Sequence, residues 1–486
     1  MKKRPLTTLV CLCSLALMAQ NKSDRIISEA LKPSSLNANL ERLTDQIGGR
    51  VPGTPAMLKA VEWGVESFKA AGADSVHTEE FTIPASWAEG ATQMRMVGPE
   101  KFSLRAISLA WAPALSPQHN VRVIDMGAAG PEDFAKAGDV SGAILLVQSD
   151  EMKTWDDLFA EYLRAPAIIE RAVRARALAI AFQSTRPHDL LYRHTNSLAG
   201  EIDRLPMVLL AREDAARMAR LIASGQKLYA DLEIPNHVGG PIQSSNVVAE
   251  LRGREKPDEF VVLGAHLDSW ELGTGALDNG CNAALVVDTL RAIKAVGERP
   301  RRSIRFILFS GEEEGLLGSH AYVLAHRSEL DKAAGVVVFD AGSGKVTGFS
   351  VGGRKDMLPA ANKLIEPLKQ FGADSLTTDM QWGTDHFDFM LQGVPTFDAN
   401  QQESNYLINY HASSDTFDKV DMAQLKKHVA EAAALVFGIA DDPDRIGPRV
   451  RRAAIQQSIR ETHFDGLMKT FGLWQAWEQG TLGRAD

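Results

Sequence analysis

The stretch "GAHLDSW", residues 264–270, closes an apolar run with a histidine and an aspartate two positions apart, His266 and Asp268. Further along, polar side chains recur at comparable places. "GALDNG" supplies Asp278, "FSGEEEG" supplies Glu312, Glu313 and Glu314, "VVVFDAG" supplies Asp340 and "INYHASSDT" supplies His411. Carboxylates gathered on one rim repel each other and hold their protons unless a cation lies among them. Two imidazoles and three carboxylates make a sensible donor set for two divalent ions, with one carboxylate bridging and an open position for water on each ion. Mixed imidazole and carboxylate ligation favours zinc, with cobalt or manganese as workable substitutes. A lone histidine at a strand end is ordinarily structural, and "GEEEG" alone is ordinarily a solvated charge run. The ordered set points to metal-assisted hydrolysis.

These residues need a scaffold that brings strand ends together. From about 245 to 440 the chain alternates strand and helix. "NVVAEL", "FVVLGA", "SIRFILF" and "GVVVF" read as strands, and "CNAALVVDTLRAIKAVG" and "GLLGSHAYVLAH" as helices. Strands so continuously apolar suit a sheet covered on both faces. In open α/β sheets ligands bind beyond the carboxyl ends of the strands, which is where the polar residues fall. The fold class predicted is α/β, with a mixed, mostly parallel sheet sandwiched by helices.

Before this region, "GTPAMLKAVEWGVESFKAAGA" places Met57, Val61, Val65 and Phe68 on one helix face, and "SVHTEEFTIP" reads as a strand. Residues 91–240 have a different texture, with short strands such as "VRVIDMG", "AILLVQ" and "PMVLLA", and a helix in "AREDAARMARLIASG". They read as a smaller inserted domain between 24–90 and 241–445, the two parts of the catalytic domain. A C-terminal helical extension, 446–486, carries Phe464, Phe471, Trp474 and Trp477.

The chain has 486 residues, 45% hydrophobic and 24% charged, with a formal net charge of −9. These values argue against disorder, and the absence of a dense Lys/Arg block argues against a nucleic-acid partner. Residues 1–20 read as a secretory signal, with Lys2, Lys3 and Arg4 before an apolar run that is short for a membrane anchor. An exported body without stable membrane insertion is expected. Cys11 and Cys13 lie in that segment, which leaves Cys281 for packing at a helix start rather than for a disulfide. Other hydrolase motifs are missing: no H-E-x-x-H helix, no G-x-S-x-G elbow, and "AGSGK" at 341–345 only mimics a phosphate loop.

Taken with "GAHLDSW", "GALDNG", "FSGEEEGLLGS", "VVVFDAGSG" and "HASSDTFDKVD" in that order, the chain resembles the di-zinc exopeptidases that include leucyl aminopeptidases and carboxypeptidase Q. The likeness to carboxypeptidase Q and its bacterial relatives extends over about 24–440. It implies a zinc exopeptidase fold with a protease-associated-like insertion, two zinc ions, a peptide substrate and a homodimer. Residue by residue, it implies that Asp278 bridges the ions, that Glu313 and His411 complete one, and that His266 and Asp340 complete the other. Glu312 would be the general base, taking a proton from the attacking water and returning it to the leaving amine. Asp268 would orient His266, the Asp278–Asn279 peptide would be cis, and Glu314 would face solvent. One departure stands out: where such aminopeptidases carry a tyrosine that polarises the carbonyl, this chain has Gln381 and Trp382. His386 and Tyr410 are the substitutes considered. The leading expectation is a carboxypeptidase Q-like dipeptidase. The alternatives are an aminopeptidase, a one-zinc glutaminyl cyclase-like acyltransferase, and a non-catalytic receptor-like module.

Overall fold

A computed structural model of the chain describes residues 22–485. The segment read as a signal, 1–20, and Cys11 and Cys13 lie outside the described residues.

Eight strands form the main sheet, in the order 75–83, 242–251, 302–309, 256–266, 333–338, 396–401, 346–350, 375–377. The central four, from 302–309 to 396–401, run parallel to their neighbours; the strands on either side pair antiparallel to them. The sheet is therefore mixed with a parallel centre, as predicted. Alternation along each strand divides the core between two faces. Val261, Leu263, Ala265, Ile304, Phe306 and Leu308 pack on one side with the helices Pro55–Ala71, Cys281–Val296 and Met422–Asp441. Phe260, Val262, Ile307, Phe309, Val336 and Val338 face the other, with Tyr322 and Phe389. Both faces are covered, which is why the stretches Phe260–Ala265, Phe306–Phe309 and Ala333–Val338 of these strands carry no polar side chain.

The Pro55–Ala71 helix starts at Thr54, whose hydroxyl accepts from Met57 N, and stops at Gly72 in the left-handed conformation. Its buried face is rotated from the one read in the sequence. Ala60, Trp63, Gly64 and Ser67 are buried with Met57 and Phe68, while Val61 and Val65 sit at the margin. Small residues take the centre because the helix crosses the sheet closely there: a Cβ on Gly64 would come within 2.9 Å of Leu308 Cδ1.

Residues 93–234 build a second eight-stranded sheet, covered on one side by the Trp155–Arg174 helix and on the other by Arg212–Ala223. The final stretch holds short helices, Arg452–Glu461, Asp465–Thr470 and Leu473–Glu478, packed through Ile455, Ile459, Phe464, Met468 and Trp477 against Phe387, Met390 and Leu391. Among the described residues, no helix is long and apolar enough to cross a membrane.

Candidate metal centre

His266 is the last residue of its strand, Asp340 stands two residues past the end of the neighbouring parallel strand, and the Glu312–Glu314 turn follows the strand on the other side. Parallel pairing therefore aligns these groups along one rim. Asp278 joins them from the loop before the Cys281–Val296 helix, and its peptide bond to Asn279 is cis. His411 reaches the rim from the loop after the last long strand. Its backbone is left-handed, with φ at 58°, and its carbonyl accepts from Arg193 N at 3.0 Å. A residue of the second sheet's segment thus holds this histidine's loop.

Distances divide the donors into two groups that share Asp278. His266 Nε2 lies 3.2 Å from Asp278 Oδ1 and 3.0 Å from Asp340 Oδ1. His411 Nε2 lies 3.2 Å from Asp278 Oδ2 and 2.7 Å from Glu313 Oε2. Across the two groups, one ligand atom each from His266, Asp278 and Glu313 lie within 4.8 Å of one another. Glu312 Oε2 stands 3.9 Å from His266 Nε2 and lines the adjoining cavity.

The surroundings hold these groups rigidly. Asp415 accepts from the N–H groups of Leu277 and Asp278, at 2.7 and 3.1 Å. Asn279 Nδ2 donates to Asp340 Oδ1 at 2.7 Å. Arg50, fully buried, donates to the carbonyls of Leu267, Gly48, Thr274 and Gly275. It ties the strand end that carries His266 to the loop that carries Asp278. Asp268 contacts both His266 and the glutamate turn. The nearest partner of His266 Nδ1 is the main-chain carbonyl of Asp268, at 3.1 Å, with carboxylate Oδ1 at 3.7 Å. Asp268 Oδ2 instead accepts from Glu313 N at 3.1 Å, fixing the glutamate turn.

Glu314 corrects a prediction. It is buried, not solvent-facing, at 1% exposure. The chain turns sharply after Glu312, whose carbonyl accepts from the N–H groups of Gly315 and Leu316. Gly315 adopts φ of 113° against Leu198, so the turn is covered rather than open to water. Burial, helped by Asp268 and Glu313, pushes the Glu314 carboxyl well above its usual range.

The electrostatics call for a cation. Burial pushes Glu312 and Glu313 well above the carboxylate range, with neighbouring carboxylates adding to the shift. Asp340 is raised to about 6, chiefly by burial. His266 moves the other way from a normal buried imidazole. Burial opposes its charge, but the nearby carboxylates of Asp340, Asp268 and Asp278 draw its pKa well up. Asp278 Oδ2 and Glu313 Oε1 are buried without a hydrogen-bond partner. Asp278 Oδ2 is 3.2 Å from an imidazole nitrogen yet lacks hydrogen-bond alignment to it. Donor atoms that converge without bonding to each other are arranged for a common third partner. The imidazole and carboxylate set suits zinc.

Residues 246–436 match peptidase family M28. Mouse carboxypeptidase Q is 26% identical over 87% of this chain and 90% of its own length. The solved structure of a peptidase M28 precursor from Shewanella amazonensis superposes with a TM-score of 0.79, at 26% identity, over 88% of this chain and 98% of that one. Residues 246–436 thus form a region of the peptidase family M28 type. The chain is an enzyme, a metallopeptidase. The fold is also that of a zinc aminopeptidase from Bacillus subtilis, with a TM-score of 0.65 at 21% identity over 86% of this chain and 97% of that one.

Beside the M28 rim lies a cavity of about 510 Å³. Tyr410 lines it, and its hydroxyl is 2.9 Å from that of Tyr162. His386 does not line it; it is buried behind the wall in contact with Thr384, and burial holds its pKa down to about 3. Cys281 is buried at its helix start, its thiol donating to Leu277 O. Sequence reasoning missed Arg50, Asp415, Asp398 and Tyr162. Asp398 lies inside the strand 396–401 but level with Val338, the last residue of the neighbouring parallel strand, and it lines the cavity. Asp415 sits inside the quoted "HASSDTFDKVD" motif. Arg50 and Tyr162 carry no comparable signal in their neighbouring sequence.

Proposed function

We propose that this peptidase is an exported zinc exopeptidase that cleaves dipeptides or short peptides bearing a free amino terminus. One observation carries the reading. Asp278 offers one oxygen to the His266–Asp340 pair and the other to the His411–Glu313 pair, the arrangement of a carboxylate bridging two ions. On this reading His266, Asp340 and Asp278 hold one zinc, and His411, Glu313 and Asp278 hold the other. Bound there, zinc polarises the scissile carbonyl and lowers the pKa of water to about 7. Glu312 accepts the attacking water's proton at a carboxylate oxygen and delivers it to the departing amine nitrogen. On this reading Tyr410 donates its hydroxyl hydrogen to the carbonyl oxygen; its place in the cavity lining and its hydroxyl contact with Tyr162 support that role. Asp268 keeps the Glu312–Glu313 turn in place.

The preference for a free amine rests on the lining of the cavity. Two dications would balance Asp278, Glu313, Asp340 and Glu312. Asp398 also lines the cavity, its carboxyl raised by burial to about 8 and so mostly protonated at neutral pH, and no lysine or arginine lines it among the described residues. A free carboxylate on the substrate therefore finds no cationic side chain in the wall, whereas an ammonium group finds carboxyl and amide oxygens that accept its hydrogen bonds. The segment 91–240 serves as a separate covering domain whose helix Trp155–Arg174 limits the length of peptide that enters.

The test is hydrolysis of one dipeptide, free, N-acetylated and C-amidated, with and without a zinc chelator. Chelator-sensitive cleavage that survives amidation and is lost on acetylation is the expected result for an aminopeptidase; loss on both blocks means a dipeptidase. Cleavage that survives acetylation overturns the amine reading, and no cleavage of any form overturns the peptidase assignment for this site.

A further inference from the structure

Two segments outside the M28 match at 246–436 contribute to the lining of the cavity. From the Trp155–Arg174 helix, Trp155, Leu158 and Phe159 face it. From the C-terminal extension, Leu467 does the same. The two helices that carry these residues, Trp155–Arg174 and Asp465–Thr470, touch one another.

Each wall is stiffened by an aromatic stack. Trp155 lies on Tyr406 with ring centroids 5.5 Å apart. Trp382, which also lines the cavity, lies on Phe471 of the extension at 4.3 Å and 21°. Half-buried Leu467 packs with Trp382 against the cluster that contains Leu316 and Met380, both cavity residues. Phe159 is 38% exposed, although it is large, apolar and part of the wall. An apolar side chain left open on the inner face of a cavity gains contact when an apolar group fills the space. The carboxylates of the rim line the same cavity, and these two segments add aromatic and aliphatic surface to it.

Building on the peptidase reading above, we propose that the extension 446–486 is part of the substrate site. Through Leu467, and through Phe471 stacked on Trp382, it forms with the Trp155–Arg174 helix an apolar cup that takes a bulky apolar side chain of the peptide. The extension thus acts as a specificity determinant as well as a packing element.

The experiment uses the full-length, zinc-loaded enzyme and two charge variants, Leu467→Asp and Leu467→Lys. Dipeptides vary either residue among leucine, lysine and glutamate, and kcat/KM is read for each. Wild type is expected to favour leucine over lysine by about tenfold or more at one of the two positions, the gain of burying a side chain of that size. Leu467→Asp is expected to shift the leucine-to-lysine ratio at that position toward lysine by about tenfold, and Leu467→Lys to shift preference toward glutamate. Leu467→Ala, which only shortens the side chain, serves if a charged variant fails to fold, and is expected to weaken the leucine preference. The proposal is overturned if folded, metal-loaded variants keep the wild-type order within about twofold. If wild type cleaves leucine dipeptides with no preference, the cup fails while the peptidase reading stands; if it cleaves no dipeptide, both fall.

Discussion

Arg50 offers a stringent test of how the fold holds its site. Its guanidinium is buried and donates to four main-chain carbonyls, those of Leu267, Gly48, Thr274 and Gly275, at 2.6 to 3.0 Å. Burial lowers its pKa to about 10, against the pull of Asp415, Asp268, Glu313 and Asp278, so it is charged at neutral pH. Replacing it by methionine keeps much of the stem volume and removes every donor. The carbonyls then lose charge-assisted bonds, and buried carboxylates lose a compensating charge. Such bonds contribute ~1.5–3 kcal/mol each and are not additive; removing one partner from a buried charged network costs ~3–5 kcal/mol. Arg50→Met is therefore expected to lower unfolding stability by ~3–5 kcal/mol, read from denaturant midpoints at neutral pH. Arg50→Lys keeps the charge but has only three donors on one nitrogen, and is expected to recover about half of the loss. A methionine variant within ~1 kcal/mol of wild type would refute the claim that Arg50 clamps the His266 strand end to the Asp278 loop.

Three other outcomes follow from the same geometry. Glu312→Gln is expected to keep wild-type metal content and lose about 100-fold or more in kcat, the contribution of a positioned general base; metal analysis beside a rate assay checks it, and near-normal turnover sinks the role. Tyr410→Phe is expected to lower kcat by about 10- to 100-fold with KM little changed, since an oxyanion donor acts mainly in the transition state. Tyr162→Phe should give a smaller loss, and the double variant should be no worse than Tyr410→Phe; additive losses would separate the two phenols. Glu431, buried without a partner in the Met422–Asp441 helix, has its pKa raised by burial from 4.5 to about 8. Its stabilising neutral form is fully present below 4.5 and is lost as pH rises through about 8. Glu431→Gln should therefore gain stability relative to wild type over that window, by up to about 5 kcal/mol, as read from chemical denaturation at both ends.

The parts of the site that the sequence made legible share one physical origin. His266, Glu312, Glu313 and Asp340 follow apolar strands, and parallel pairing places such ends side by side. Polar residues at that point interrupt an otherwise unbroken apolar pattern, so they stand out. Asp398 lies within its strand rather than after it, and "TFDANQ" is short and mostly polar, so nothing marks it out. Arg50 and Tyr162 were invisible for a different reason. They reach the site only through tertiary packing, from a loop before a helix and from the face of a helix in another sheet's layer. Glu314 was misread because a run of three glutamates has the composition of a surface turn. The turn that carries it packs at Gly315 against Leu198, which comes from more than a hundred residues away in sequence. The rotated face of the Pro55–Ala71 helix has a similar cause: close approach to the sheet selects Ala60 and Gly64 over the bulkier Val61 and Val65.

The bridging role of Asp278 is the centre of the account, and metal stoichiometry tests it most directly. Zinc per chain would be measured on purified wild type, His411→Ala and Asp278→Ala after equilibration with equal free zinc. The expected contents are about two, about one and close to zero, because His411 serves one group of donors and Asp278 serves both. A wild type that binds a single zinc, or an Asp278→Ala variant that retains both, would contradict the two-centre reading.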